Sequence, residues 1–398
     1  MMEAYLDNAA TTRVSEKAAE IAEKVMREDY GNPSSKHLKG FDAEQYIKNS
    51  AKIIADTLKV QPKEIIFTSG GTESNNMALL GAALANKRSG NRIIASCFEH
   101  ASVYSPLLGL KDFGFEVVFA PVDEMGHIKL HELLDMIDDE TILVSVMYVN
   151  NEVGAVQNIA EISNAVKNKK SDVIFHVDAI QAYGKYRINP KKEGIDLLSV
   201  SGHKIHAPKG SGFLYADEKV KLRPLIFGGG QQKNRRSGTE NVPAIAGIGV
   251  AAEEMYTDFD AKNVKLYELK THFLERISEV PGTHVNAVPT LNSIDEGKLV
   301  YDVKQTAPHI VSISFDKIKS EVLLHALEER QVYVSSGSAC SSNHPGLSST
   351  LQAIGVKREL LDSTLRFSFS VHTTMDEIDY CIDMLKELVP IYSRFTRK

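Results

Sequence analysis

Val173-Ile174-Phe175-His176-Val177-Asp178-Ala179, followed by Leu197-Leu198-Ser199-Val200-Ser201-Gly202-His203-Lys204, is the pair of runs on which the fold reading turns. Each is apolar and then breaks into polar side chains. A strand that is apolar on both faces is covered by helices on two sides, the pattern of a parallel α/β sheet. Working outward, runs of the same kind recur at Glu64–Thr68, Arg92–Ala95, Phe115–Ala120, Ile142–Val149 and Gly212–Tyr215. Helical stretches such as Thr72–Leu84 and Glu161–Lys169 lie between several of them and can serve as crossovers. Some gaps are too short for a helix, so at least one strand is expected to run antiparallel.

Beyond about residue 260 the character changes. A helical stretch, Val264–Val280, leads to strand candidates His309–Phe315, Gln331–Ser335 and Leu365–Phe369, with helices at Glu321–Arg330 and Met375–Leu388. This reads as a smaller α+β domain. A chain of 398 residues exceeds one ordinary domain. The expected division is a large domain over 15–260 and a small one built from 1–14 and 261–398.

The composition, 43% hydrophobic and 25% charged, excludes disorder. A net charge of −6 exerts no bulk pull on nucleic acid or an anionic membrane. No apolar run approaches the ~20 residues of a membrane span. The first residues carry Glu3 and Asp7 and no signal-peptide pattern. The expectation is a cytoplasmic protein with no direct nucleic-acid or membrane partner. Cys97, Cys340 and Cys381 are too widely spaced for a disulfide framework or a metal cluster, and no metal site is expected.

In open parallel sheets, ligands bind beyond the C-terminal strand ends, so the polar residues there carry the chemistry. After the first strand comes Ser69-Gly70-Gly71-Thr72-Glu73-Ser74-Asn75-Asn76. Glycines and a hydroxyl at a helix start can present N–H groups and the helix dipole to a phosphate. The alternative is a glycine turn with Thr72 as N-cap. Glu99-His100 follows the second strand, and a lone histidine is more often structural. Asn150 and Asn151 at the end of the fourth read as turn formers or ligand contacts. Asp178 ends an apolar strand, where a carboxylate needs a cation, a cap or a protonated ring nitrogen. Gln181 lies close behind it. Lys204 follows Ser201, Gly202 and His203. A desolvated lysine near other cations loses its proton readily and becomes a Schiff-base nucleophile. An ordinary loop lysine is the alternative.

Taken in order, these segments supply an anion cradle, a strand-end carboxylate and an amine. Pyridoxal 5′-phosphate (PLP) requires those three things. Arg235-Arg236-Ser237-Gly238-Thr239 adds cations and hydroxyls suited to an anion, or is a solvated basic loop. Arg366, inside the apolar run Leu365–Phe369, needs an anion: a substrate carboxylate, or an internal acid. Val334-Ser335-Ser336-Gly337-Ser338-Ala339-Cys340-Ser341-Ser342 embeds a thiol in small residues that do not build a core, so Cys340 is expected to be exposed and reactive. Cys381 has apolar helical neighbours and reads as core, while Cys97 is ambiguous.

These motifs, with Tyr5-Leu6-Asp7-Asn8-Ala9-Ala10-Thr11-Thr12 and Gly31-Asn32-Pro33-Ser34-Ser35 before them, resemble the cysteine desulfurases of the NifS/IscS type. The resemblance covers nearly the whole chain. It implies a fold type I PLP-dependent transferase, α/β, with a mostly parallel seven-stranded sheet and a smaller α+β domain. It implies Lys204 as the Schiff-base lysine, His100 against the ring and in proton transfer, Asp178 at the ring nitrogen and Gln181 at the ring oxygen. Gly71, Thr72, Ser201, Gly202 and His203 would surround the phosphate. Thr239 would reach the neighbouring site of a homodimer. Asn151, also near the cofactor, and Arg366 would hold the substrate. Cys340 would take sulfur from L-cysteine as a persulfide, releasing alanine. The sulfur would pass to a scaffold or tRNA-thiolation protein, for iron–sulfur cluster assembly or tRNA or cofactor thiolation.

Overall fold

The computed structural model describes residues 2–295, 298–336 and 347–395. Its centre is a seven-stranded sheet: β1 (Ile65–Thr68), β2 (Arg92–Ser96), β3 (Glu116–Ala120), β4 (Thr141–Met147), β5 (Ile174–Asp178), β6 (Leu197–Ser201) and β7 (Gly212–Ala216). The spatial order is β1-β7-β6-β5-β4-β2-β3. Every run expected to form this sheet does so, with ends shifted by a residue or two. Only β7 runs against its neighbours β1 and β6. The link from Ser201 to Gly212 is too short for a crossover helix, so the chain returns antiparallel. β4 and β6 are buried at every position, as strands covered on both faces must be.

The covering helices include α1 (Gly71–Asn86) and α2 (Val242–Tyr256). No helix was anticipated before the first strand, yet Glu16–Arg27 and Leu38–Leu58 are helical and both pack on α2. That packing explains α2's composition: Ala244, Ile245, Ala246, Ile248, Ala251 and Ala252 are all buried, leaving no polar stripe to advertise a helix.

A second, antiparallel sheet holds β8 (Thr283–Asn286), β9 (Ile310–Phe315), β10 (Ser335–Ser336) and β11 (Thr364–Ser368) in the order β10-β11-β9-β8. The single strand expected over Gln331–Ser335 is split. Val332–Tyr333 pairs in parallel with Ala4–Tyr5, and Ser335–Ser336 pairs with β11. Val334 lies between the two, at the switch of partners. Phe273, Phe315, Phe367, Phe369 and Cys381 share the core behind this sheet, so Cys381 is a core thiol. Short helix α3 (Ser349–Ala353) follows the small-sheet strand β10 in sequence, but its Leu351 and the adjacent Ile354 belong to the core of the large sheet.

Lys270 is fully buried in Phe259–Ile277, donating to Thr306 Oγ1 at 2.5 Å and Ala307 O at 2.8 Å. Burial pushes its pKa down to about 7 from an ordinary 10.5. Below pH 7 both folded and unfolded lysine are charged and the burial penalty is complete. Between 7 and 10.5 only the unfolded chain binds the proton, so stability rises with pH. Denaturant unfolding at pH 7 and pH 10 should therefore show a shallower rise in Lys270→Met than in the parent. The expected difference in slope is about 1.4 kcal/mol per pH unit.

Candidate functional site

Because β1, β2, β4, β5 and β6 point the same way, their C-terminal ends converge on one edge of the sheet. A cavity of about 170 Å³ opens there. Ala9, Gly71, Thr72, His100, Asn151, Asp178, Gln181, Ser201, His203, Lys204 and Arg366 line it, with Ser102, Met147, Val149 and Ile180. Of the expected site residues, Thr239 is exposed and Gly202 is buried in the turn after β6, both outside this lining. Cys340 lies outside the described residues.

The floor is Asp178, at the end of β5 and 2% exposed. Its Oδ2 accepts from Asn75 Nδ2 at 2.8 Å and its Oδ1 from the Ile180 N–H at 3.0 Å. Burial pushes its pKa up, and these donors with His100 and Lys204 pull it back. Glu99 is also buried, its Oε1 accepting from Ser96 Oγ at 2.7 Å and from the Met147 N–H at 2.8 Å. Glu99 Oε2 has no hydrogen-bond partner among the described residues. Burial, reinforced by the charge on Asp178, pushes Glu99 up to about 8. Each of these two buried acids accepts two hydrogen bonds, and the charge on one raises the pKa of the other.

His100 caps the helix Ala101–Leu110, its Nδ1 accepting the Ser102 N–H at 3.1 Å. In the neutral ring the proton therefore sits on Nε2. Burial and the nearby Lys204 and Arg366 hold the pKa of His100 below its ordinary value. Ser102 Oγ accepts from Asn75 Nδ2 at 2.9 Å, so Asn75 ties His100's neighbour to Asp178. Lys204 Nζ donates to the carbonyls of Ala9 (2.6 Å) and Ala10 (2.5 Å). Gln181 spends one amide N–H on Ala9 O at 2.9 Å and retains a second. His203, whose Nδ1 is 3.3 Å from Thr11 Oγ1, is pushed down to about 4 by burial and by Lys204.

On the anion side, α1 begins at Gly71 with Gly70 as N-cap and no side-chain cap. Thr72 is thus inside the first turn and its hydroxyl is not consumed as a cap. Facing this helix start, Ser201 Oγ is buried without a partner among the described residues. A buried hydroxyl left unmatched beside a helix N-terminus is a place for an anion. Arg366 donates to Asn151 O at 2.8 Å and to Asp7 Oδ1 at 2.8 Å, so an internal acid does hold part of it. Its Nε is buried and unmatched. The two asparagines divide the readings offered for them. Asn150 closes a turn through Oδ1, and Asn151 lines the cavity.

PLP fits this donor set. An unmatched Ser201 hydroxyl and the α1 N-terminus suit its phosphate, and buried Asp178, with no ion pair among the described residues, suits a protonated ring nitrogen. Asn75, Ser102 and Gly212 carry no signal of their own in the sequence, because their contacts here are to residues far away along the chain. A Cβ on Gly212 would lie 2.7 Å from Gly70 Cα and 2.7 Å from Val200 O, backbone against backbone. Gly212→Ala must push the Gly70–Gly71 turn outward. Its affinity for PLP, followed by absorbance titration of the apoprotein, is expected to fall about tenfold, in line with the ~1–3 kcal/mol cost of overpacking.

The comparisons with known proteins agree with this geometry. The model of the aminotransferase class-V family matches residues 4–381. A cysteine desulfurase IscS from Methanosarcina thermophila is 40% identical over 97% of this chain and 91% of the relative. A solved NifS-like protein superposes with a TM-score of 0.89 at 34% identity, covering 98% of this chain and all of that one. A structure described as SspA in complex with cysteine matches with a TM-score of 0.75 at 31% identity, over 93% of this chain and 100% of its own. The chain therefore belongs to the class-V aminotransferase family of PLP-dependent enzymes, among the cysteine desulfurases of the IscS/NifS type.

Proposed function

We propose that this chain removes sulfur from L-cysteine, releases L-alanine and holds the sulfur as a persulfide on Cys340. The observation that carries this reading is where the Cys340-bearing stretch begins and ends. On one side Ser335 pairs with Arg366. On the other, Ser348 Oγ donates to Glu152, next to Asn151, at 2.5 Å. One end of a Gly/Ser-rich stretch with one thiol thus pairs with a residue of the cavity, and the other meets the chain neighbour of one.

Gly71, Thr72, Ser201, Gly202 and His203 would hold the phosphate, Asp178 the ring nitrogen, Gln181 the ring oxygen and His100 the ring. Bound there, PLP supplies an aldehyde for an amine and a ring that takes up electrons released at the substrate Cα. Asp178 keeps the proton on the ring nitrogen. Arg366 and Asn151 orient the substrate carboxylate. Lys204 removes the Cα proton, and neutral His100 hands on protons from Nε2. The Cys340 thiolate attacks the substrate sulfur. A sulfur–sulfur bond forms, the substrate Cβ–S bond breaks, and its electron pair stays with carbon. Protonation of that carbon completes alanine, so L-cysteine and a thiol become alanine and a persulfide.

The enzyme would work in the cytoplasm as a homodimer, with exposed Thr239 completing the partner's phosphate site. A sulfur-acceptor protein of iron–sulfur assembly or of tRNA or cofactor thiolation would then take the persulfide. Among the described residues no helix is long and apolar enough to cross a membrane. Incubating the holoenzyme with L-cysteine and measuring alanine tests the reaction. Alanine must accumulate, and its absence would overturn the proposal.

A further inference from the structure

The turn Asn150–Gly154 contains a carboxylate that the turn itself does not use. Asn150 Oδ1 accepts the backbone N–H groups of Glu152 and Val153 at 2.9 and 3.0 Å, and Asn150 Nδ2 donates to Phe98 O at 3.2 Å. These bonds suffice to fix the turn and to present Asn151 to the cavity. The Glu152 side chain reaches instead to a segment nearly two hundred positions away. Its Oε2 accepts from Ser348 Oγ at 2.5 Å and its Oε1 from Thr350 Oγ1 at 3.1 Å. Ser348 Oγ also accepts the Leu351 N–H at 3.1 Å, capping α3. One carboxylate therefore grips the cap and the first turn of a short helix. With only five residues, α3 has little intrinsic stability and depends on such anchors.

In sequence, the cap Ser348 closely follows the stretch that holds Cys340. We infer that Glu152 is a positioning residue for sulfur transfer: it locks the helix following that stretch to the turn that presents Asn151, so that the substrate seat and the thiol-bearing chain share one frame. Burial pushes the pKa of Glu152 up, and the Ser348 and Thr350 hydroxyls that donate to it, with the nearby Arg366, favour its charged form. The inference rests on Cys340 being the sulfur acceptor within the chain.

The test uses the holoenzyme and three variants: Glu152→Ala, Glu152→Gln and the pair Ser348→Ala/Thr350→Val. Three quantities are read: L-cysteine affinity from the change in cofactor absorbance, the rate of persulfide formation on Cys340 by mass, and amide exchange at Leu351. Glu152→Ala is expected to slow persulfide formation about tenfold or more, leave affinity within about twofold and speed exchange at Leu351. Glu152→Gln keeps one acceptor oxygen and should fall less. The hydroxyl pair should lose at least as much as Glu152→Ala, because it also removes the cap on Leu351, and adding Glu152→Ala to the pair should cost nothing further. Unchanged persulfide formation in Glu152→Ala, additive losses, or a matching loss of affinity would each overturn the inference. Should Glu152→Ala fail to fold, Glu152→Gln and the hydroxyl pair decide the question. A parent enzyme that makes alanine with Cys340 unmodified would overturn the Cys340 reading, and this inference with it.

Discussion

Lys204→Ala is expected to remain folded, to bind PLP without a covalent link and to lose on the order of 10⁴-fold in kcat with L-cysteine. The structural cost is modest: Ala9 O keeps Gln181 as a donor, and Ala10 O at the cavity edge loses the lysine. The chemical cost is large, because the proposed function makes this amine both the attachment point and the base at the substrate Cα. Steady-state alanine formation and borohydride trapping of the cofactor separate the two roles. Lys204→Arg should not rescue, since a guanidinium stays protonated and cannot form the link. Near-parental turnover in Lys204→Ala would assign proton transfer to another group, with His100 the nearest candidate.

Cys340→Ala is expected to keep PLP, to keep L-cysteine affinity and to lose alanine formation about 100-fold or more. Nothing else among the described residues offers a thiol at the cavity. Cys381 is buried in the core behind the second sheet, and burial pushes its pKa well up. Cys97 is half-buried beside Val122 and is likewise raised, by burial first. Neither can substitute as a thiolate. Cys340→Ser should behave like Cys340→Ala, because a hydroxyl does not form the sulfur–sulfur bond.

The large sheet was legible because its strands are short, apolar on both faces and end in polar residues. Asp178 and Lys204 announced themselves for the same reason: a charge at the end of such a strand needs an explanation. What stayed hidden depends on distant pairing. Asn75 reads as a helix residue, and only the fold brings it to Asp178, 103 positions away. Asp7, the acid that shares Arg366, is 359 positions from it. Strands of two residues such as Ala4–Tyr5 carry no period to detect, and they exist because a partner strand is there. α2 was missed because burial on all sides removes the amphipathic signal.

The central claim is that sulfur leaves L-cysteine for Cys340. The measurement that meets it most directly is the mass of the Cys340 peptide after a single addition of L-cysteine to the holoenzyme, with alanine counted in the same sample. One added sulfur on Cys340 is expected for each alanine released, and none on Cys97 or Cys381. Alanine without added sulfur on Cys340, or sulfur on another cysteine, would contradict it.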